Sequence, residues 1–372
     1  MHPSFSDRIG KLRGANNEGV LALVLIVLIV GMSIANPTFF TLNTGFSILR
    51  SAIVPVVFAL GVLIVVITGG IDVSFAAVAI FAGYSTVTFC LSLGFDPGLP
   101  GIFAMAIAIG AILGLINGVV IARFNLPTLI VTLGTQGIFF GAMYTYVGAT
   151  YYAELPGSMA ALATTNLLDV TTDSGRAYLH VLVVPVLLLC LFVAWVLKRT
   201  MFGRSLYAMG GDLEAARRAG FKVKTTQLWV YVSVGALASI AGVIHIVLSR
   251  SANPRDLVGG ELDIIAAVVL GGASIFGGRG SVIGTVLGVI LVQVIKNSLL
   301  LVGVPSAWLR TAVGVLLVIG VGIQAIAARR KSRRMRVIDD GDLNAPNAGK
   351  HSGPTSDSST SDGSTSTEKV DA

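Results

Sequence analysis

Residues 46–68 read FSILRSAIVPVVFALGVLIVVIT. As a helix, a run of this length crosses the ~30 Å hydrocarbon core of a bilayer, which takes about 20 residues. Its one charge, Arg50, stands near an end. The rest of the chain repeats the pattern. Of 372 residues, 54% are hydrophobic and only 12% charged, with a mean hydropathy of +0.84. A soluble domain carries about 25% charged residues, so this chain has too little polar surface to cover a water-soluble globule. The apolar runs are long and unbroken, without the alternation of a barrel strand, so the spans are expected to be helices.

Working outward from 46–68 gives ten expected spans: about 19–37, 46–68, 73–94, 101–123, 127–148, 177–198, 226–248, 261–277, 281–302 and 307–328. The eighth is short and glycine-rich. The fold expected is an all-α polytopic membrane protein with about ten transmembrane helices. Residues 1–18 form an N-terminal segment and 19–328 the membrane domain. After a basic cluster, residues 339–372 are Ser, Thr, Gly, Asp and Asn with almost no large apolar residue. Such a segment cannot bury enough surface to repay ordering, so 329–372 is expected to be a disordered tail. The first apolar run lacks a small-residue cleavage site after it and reads as an uncleaved span.

Lysine and arginine set the orientation. With both termini in the cytoplasm, the inner segments hold Arg8, Lys11, Arg13, Arg123, Arg279, the seven basic residues of 198–224 and the 329–336 cluster. The outer segments and span ends hold only Arg50, Arg176, Arg250, Arg255, Lys296 and Arg310. The net charge of +7 thus reflects membrane orientation and gives no reason to expect nucleic acid. Cys90 and Cys190 both lie in apolar runs and read as core residues. The four histidines are scattered and suggest no metal site.

The cytoplasmic loop 199–225 interrupts the apolar chain with a short helix-like piece, Asp212-Leu-Glu-Ala-Ala-Arg-Arg-Ala-Gly220. Asp212 suits an N-cap, and Gly220 the position just past the helix end. Glu214 precedes Arg217 and Arg218 by three and four residues, which supports a helix. Ala215, Ala216 and Ala219 make one face small enough for a partner surface to approach. A solvated loop helix fits these features equally well.

Thr68-Gly-Gly-Ile-Asp72-Val-Ser74 weakens helix propensity and places a carboxylate between two spans. Irregular backbone at membrane depth is tolerated only where protein or water covers it, and a carboxylate there points to function. Two readings fit: a break lining a translocation path, or a tight turn near the inner face with Asp72 capping the next helix. Residues 271–280 are also glycine-rich, but no Gly-x4-Gly-Lys-Ser/Thr string occurs in the chain, so a nucleotide loop is not indicated. Asn117, Thr132, Thr135, Gln136, Phe139 and Gln293 supply the hydroxyl-pairing and ring groups a sugar needs, though interhelical packing accounts for each as well.

Six segments together carry a resemblance. Thr68–Ser74, Gly114-Leu-Ile-Asn117-Gly118, Thr132-Leu-Gly-Thr135, Glu214-Ala-Ala-x3-Gly220, Glu261-Leu-Asp263-Ile-Ile-Ala266 and the 271–280 run are similar, in order and spacing, to the ribose/xylose/arabinose-type permeases of ABC importers. The resemblance covers roughly 45–328. Phe75-Ala76-Ala77 departs from that family's Val-Gly-Ser, and the Ser/Thr-rich tail is extra. The resemblance implies a multi-pass subunit of the bacterial cytoplasmic (inner) membrane with no covalent chemistry of its own. It would work with a separate ATPase that binds ATP and Mg, an extracytoplasmic sugar-binding protein, and a second permease copy or paralogue. It implies that Asp212, Glu214, Ala215, Ala216, Arg218 and Gly220 form the coupling helix on which the ATPase docks. Gly69, Gly70, Asp72, Ser74, Asn117, Thr135, Phe139 and Ser274 would line the path or gate. Arg250, Arg255, Glu261 and Asp263 would meet the binding protein, although a solvated loop explains each of them too. A branched-chain amino-acid permease is the nearest alternative, and an ion-coupled secondary transporter a more distant one. The sugar, and the choice between homodimer and heterodimer, are left open by the sequence.

Overall fold

The computed structural model describes residues 18–305 apart from 173 and 174, together with residues 308, 311, 314, 315 and 318. The N-terminal segment before residue 18, the tenth span as a continuous element and the tail from 329 lie outside the described residues. The chain forms α1 (Glu18–Ala35), α2 (Leu42–Ile67), α3 (Phe75–Leu93), α4 (Gly98–Phe124) and α5 (Thr128–Ala142), which runs on into one π-helical turn, Met143–Val147. There follow α6 (Gly157–Thr164), β1 (Asn166–Thr172), β2 (Gly175–His180), α7 (Val183–Arg199), α8 (Met201–Gly211), α9 (Leu213–Arg218), α10 (Val223–Ser249), α11 (Glu261–Leu270) and α12 (Val282–Leu301).

Among the described residues, five helices are long and apolar enough to cross a membrane: α2, α3, α4, α10 and α12. A sixth crossing is open to α7 with α8, which meet at a 69° bend. The eighth expected span is shorter than its sequence suggested. The α11 helix stops after 10 residues at Leu270, about half of what a crossing needs. The glycine run after it turns the chain back along α12.

The all-α expectation needs one correction. Asn166–His180 is an antiparallel hairpin in which Asp169 faces Tyr178 and Thr171 faces Arg176. The sequence reading merged β2 with the span after it because Ala177-Tyr-Leu-His-Val-Leu-Val-Val is apolar throughout. The strand nevertheless keeps a period of two: Ala177 and Leu179 are buried while Arg176 and Tyr178 are exposed, as a half-covered sheet requires. The Arg50 guanidinium lies 5.7 Å from the centre of the Tyr178 ring and donates to the Leu248 carbonyl at 3.2 Å. It ties the hairpin to the ends of α2 and α10.

The core is built around α2, in which Val57, Ala59, Leu60, Leu63, Val65 and Ile67 are fully enclosed. Packing against it depends on small residues. A lipid-facing bundle gains little from the hydrophobic effect between helices, so close backbone approach supplies the contact. A Cβ on Gly114 of α4 would collide with the Tyr231 carbonyl of α10, and one on Gly235 with the Gly110 carbonyl. We therefore expect Gly114→Val to lower stability by about 3 kcal/mol, the upper end of overpacking costs. Gly134→Val on α5, where nothing lies within 4 Å, has no neighbour to displace. Thermal unfolding of the two variants in detergent compares them directly.

Between α3 and α4, Asp96 anchors the start of α6. It accepts from the Ser158 amide and hydroxyl, both at 2.7 Å, and from the Gly98 amide at 2.9 Å. The Ser158 bonds hold the Asp96 carboxyl below its ordinary value. A depressed pKa contributes stability above the ordinary carboxylate range that is lost as pH falls through the lowered value. Hydrogen exchange at the Ser158 amide is expected to be protected at neutral pH, to lose that protection only in strong acid, and to be unprotected at every pH in Asp96→Ala.

Candidate functional site

The loop between α7 and α10 presents a rigid, exposed helix. Asp212 accepts from the amides of Glu214 and Ala215, both at 2.9 Å, and caps α9 as its sequence suggested. Gly220, at φ +86°, ends it. The Gly220 amide bonds the Arg217 carbonyl, and the Phe221 amide bonds the Ala216 carbonyl. This is the paired closure in which a glycine adopts the left-handed conformation that a Cβ disfavours. Glu214 pairs with Arg217 at 2.8 Å. Of the expected small face, only Ala216 points inward. It is buried with Met209 and Val223 beneath Phe221 and fastens α9 to α8 and α10. Ala215, Ala219, Glu214 and Arg218 remain exposed, as do all seven basic residues of the loop.

Two residues before the cap, Gly210 is pressed against the break that follows α2. A Cβ there would strike the Ile67 carbonyl, which already accepts the Gly278 amide at 2.9 Å. Tyr207 of α8 donates to the Gly280 carbonyl, also at 2.9 Å. Ser274, half-buried, closes the 274–279 turn through its backbone amide. Gly69, at φ +82°, faces the Phe276 carbonyl across this junction.

Beyond Gly69 the backbone leaves the helix, and most polar groups near it are engaged by protein, while the buried Asn117 Oδ1 has no partner among the described residues. Thr128 accepts the Ile71 amide at 3.0 Å. Thr132 accepts the Val73 amide at 3.4 Å and donates to the Ile71 carbonyl at 3.3 Å. Asp72, 2% exposed, accepts from the Ser74 amide and hydroxyl, both at 2.7 Å. The Asn117 amide of α4 donates to the same Ser74 oxygen at 2.8 Å. The turn reading is the one the hydrogen bonds describe: Asp72 accepts from Ser74 at the start of α3 and is enclosed by protein.

The structure brings Gly69, Gly70, Asp72, Ser74, Asn117 and Ser274 into this one region. Thr135 and Phe139 lie apart from its polar chain. Thr135 bonds within α5 to the Thr132 carbonyl, and Phe139 is packed in the hydrophobic core.

At the far end of α10, Arg250 and Arg255 are exposed. Glu261 and Asp263 are not offered in the same way. Glu261 is buried and accepts from Gln136 at 2.8 Å. Asp263 pairs with Lys296 of α12 at 2.6 Å. Sequence reasoning missed this pairing, although a lone lysine inside an apolar run signals that a partner is needed. It also missed Thr128, whose four-residue spacing from Thr132 places both hydroxyls on one face of α5.

The Ser74 hydroxyl serves Asp72 and Asn117 at once. Ser74→Ala is expected to cost about 1–3 kcal/mol, because it strips a donor from a buried carboxylate. Ser74→Thr is expected to retain most of the stability. Denaturation of both variants in detergent checks this, and equal losses would contradict it.

Residues 44–321 match the protein family described as branched-chain amino acid transport system / permease component. Among the chain's relatives are the autoinducer 2 import system permease proteins LsrC of Yersinia pseudotuberculosis serotype O:1b (strain IP 31758) and Yersinia pestis (strain Pestoides F). Each is 31% identical over 293 residues, which is 79% of this chain and 80% of the relative. No solved structure matches it.

Proposed function

This chain belongs to that permease family, and from this premise we propose that it is the membrane-spanning subunit of an ATP-driven importer for a monosaccharide or related polyol. The family model and relatives make it a multi-pass membrane permease subunit. The six sequence segments shared with sugar permeases support a sugar-type cargo. So do relatives named for autoinducer 2 import, where an amino-acid permease would be expected to resemble amino-acid systems first. The family's own description keeps branched-chain amino acids as the second reading.

In this reading the chain makes ten passes with both termini in the cytoplasm of a bacterium. Two copies, or one copy and a paralogue, form the pathway. A separate ATPase, which carries ATP and Mg, docks on α9. A binding protein loads the outer mouth near Arg250 and Arg255. ATP-driven closure of the ATPases moves α9, and the motion reaches the break at 67–74 through Gly210.

The observation that carries this proposal is the construction of α9. It is capped at both ends, fastened beneath by Ala216, and exposed on its remaining faces. A loop helix with no partner has no need of such rigidity. Glu214→Arg or Gly220→Trp is expected to abolish co-purification of the ATPase while the subunit stays in the membrane. Undiminished co-purification and uptake in both variants would refute the docking role.

A further inference from the structure

A second polar region lies apart from the break and is not absorbed by the docking role. A cavity of about 220 Å³ opens between α2, the start of α3, α11 and α12. Its walls include Phe58, Phe75, Asp263, Gln293 and Lys296, with Leu257 from the loop before α11. We propose that this cavity is a solute site within a single subunit and that it takes a neutral, polyhydroxylated molecule of monosaccharide size. The inference rests on the permease reading given above.

Gln293 is the strongest indication. It is 8% exposed, and among the described residues its side-chain amide has no hydrogen-bond partner, while its backbone carbonyl serves Asn297. Buried amides are otherwise almost always paired. One that lines a cavity offers a donor and an acceptor to whatever enters. Lys296 uses one of its three N–H groups on Asp263, which leaves two to donate. Asp263 accepts that bond on Oδ2, so Oδ1 is left to accept. A hydroxylated solute uses donors and acceptors together in this way.

The Phe58 and Phe75 rings, with centroids 5.1 Å apart and tilted by 50°, give the apolar faces on which the C–H side of such a ring packs. The cavity is smaller than the pockets of about 300–1,000 Å³ that take drug-sized ligands, which limits it to a solute of about monosaccharide size. The charge state sets the class. Lys296 and Asp263 already neutralise each other, so a charged solute would have to separate a partly buried ion pair, which is strongly unfavourable. A neutral polyol adds to the pair without breaking it.

Leu257 lines the cavity from the loop that precedes α11. It also lines an adjoining space with Arg50, Ser51 and His245. It stands at φ +66°, a conformation that a branched side chain rarely holds. The neighbouring Asp256, paired with His245 at 3.1 Å, ties this loop to α10. Leu257 is therefore placed as a plug between the two spaces.

The test uses the full chain assembled with its ATPase in lipid nanodiscs. Both native cysteines are buried, so Ile264→Cys adds one thiol inside the cavity for a small water-soluble thiosulfonate reagent. D-ribose, D-xylose and myo-inositol are offered as solutes, with L-leucine for comparison. At least one polyol is expected to slow labelling and L-leucine is not. Adding Gln293→Ala is expected to raise the polyol concentration needed by roughly tenfold, the loss of one good buried hydrogen bond, with protection in each variant measured against its own rate without solute. Leu257→Gly is expected to speed labelling. Protection by none of the polyols, equal protection by L-leucine, or protection indifferent to Gln293→Ala would overturn the proposal. ATPase co-purification is measured on the same samples. If it persists while protection fails, the permease reading stands and the cavity assignment falls.

Discussion

Backbone that leaves the helix inside a bilayer protein must find its hydrogen bonds within the protein, since the hydrocarbon offers none. The break at 67–74 imposes this constraint, and much of the arrangement follows from it. The Ile67 carbonyl takes an amide from the 271–280 turn. Ile71 and Val73 take hydroxyls 57 and 59 residues further along, on α5. Asp72 and Ser74 satisfy each other and reach α4 through Asn117. Three separate parts of the chain thus converge on one short segment. None of them could shift alone without stranding a buried polar group, at about 1–3 kcal/mol each.

The same region would carry motion from the loop to the bundle under the docking role proposed above. Gly210 lets α8 touch the Ile67 carbonyl directly, and Tyr207 fixes α8 to the Gly280 carbonyl. The α9 helix begins three residues after Gly210, with Asp212 as its cap. If an ATPase docks on α9, a displacement there would reach this contact through α8 and would reach α10 through Ala216 and Val223. Rigidity matters more than strength here. A loosely capped α9 would absorb a displacement in its own fraying, whereas one closed at both ends and seated on Ala216 passes it on.

Much of this was legible in the sequence because the signals were local. Asp212, Glu214 and Gly220 act within one short helix and its two ends, so residue type and spacing were enough to place the caps. The helices at 46–68, 101–123 and 226–248 were readable because apolar length alone decides a crossing. What escaped the reading depended on contacts between distant segments. The hairpin at 166–180 merged with the following helix because β2 runs from Ala177-Tyr-Leu-His directly into the apolar Val181-Leu-Val-Val stretch with no turn residue between them. The inward turn of Ala216 is set by Met209 and Val223, and no spacing rule distinguishes it from Ala215. Glu261 and Asp263 look like surface charges beside Arg250 and Arg255. Their partners, Gln136 and Lys296, lie 125 and 33 residues away.

The buried polar groups of this chain divide by whether their bonding is complete. Asp72 sits in protein with no cationic partner among the described residues, but the Ser74 amide and hydroxyl both serve it. In that cluster the Asn117 amide nitrogen is used on Ser74 and only its Oδ1 is left without a partner among the described residues. Gln293 and Lys296 are also inside the bundle, yet their hydrogen-bonding capacity is only partly used, and it is directed into a cavity with aromatic walls. Leaving such capacity idle is costly in a membrane bundle, where a leucine at position 293 would pack as well. The cost is offset only if something else completes the bonding for part of the working cycle. On the proposal made above, a neutral solute beside Gln293 would complete that bonding.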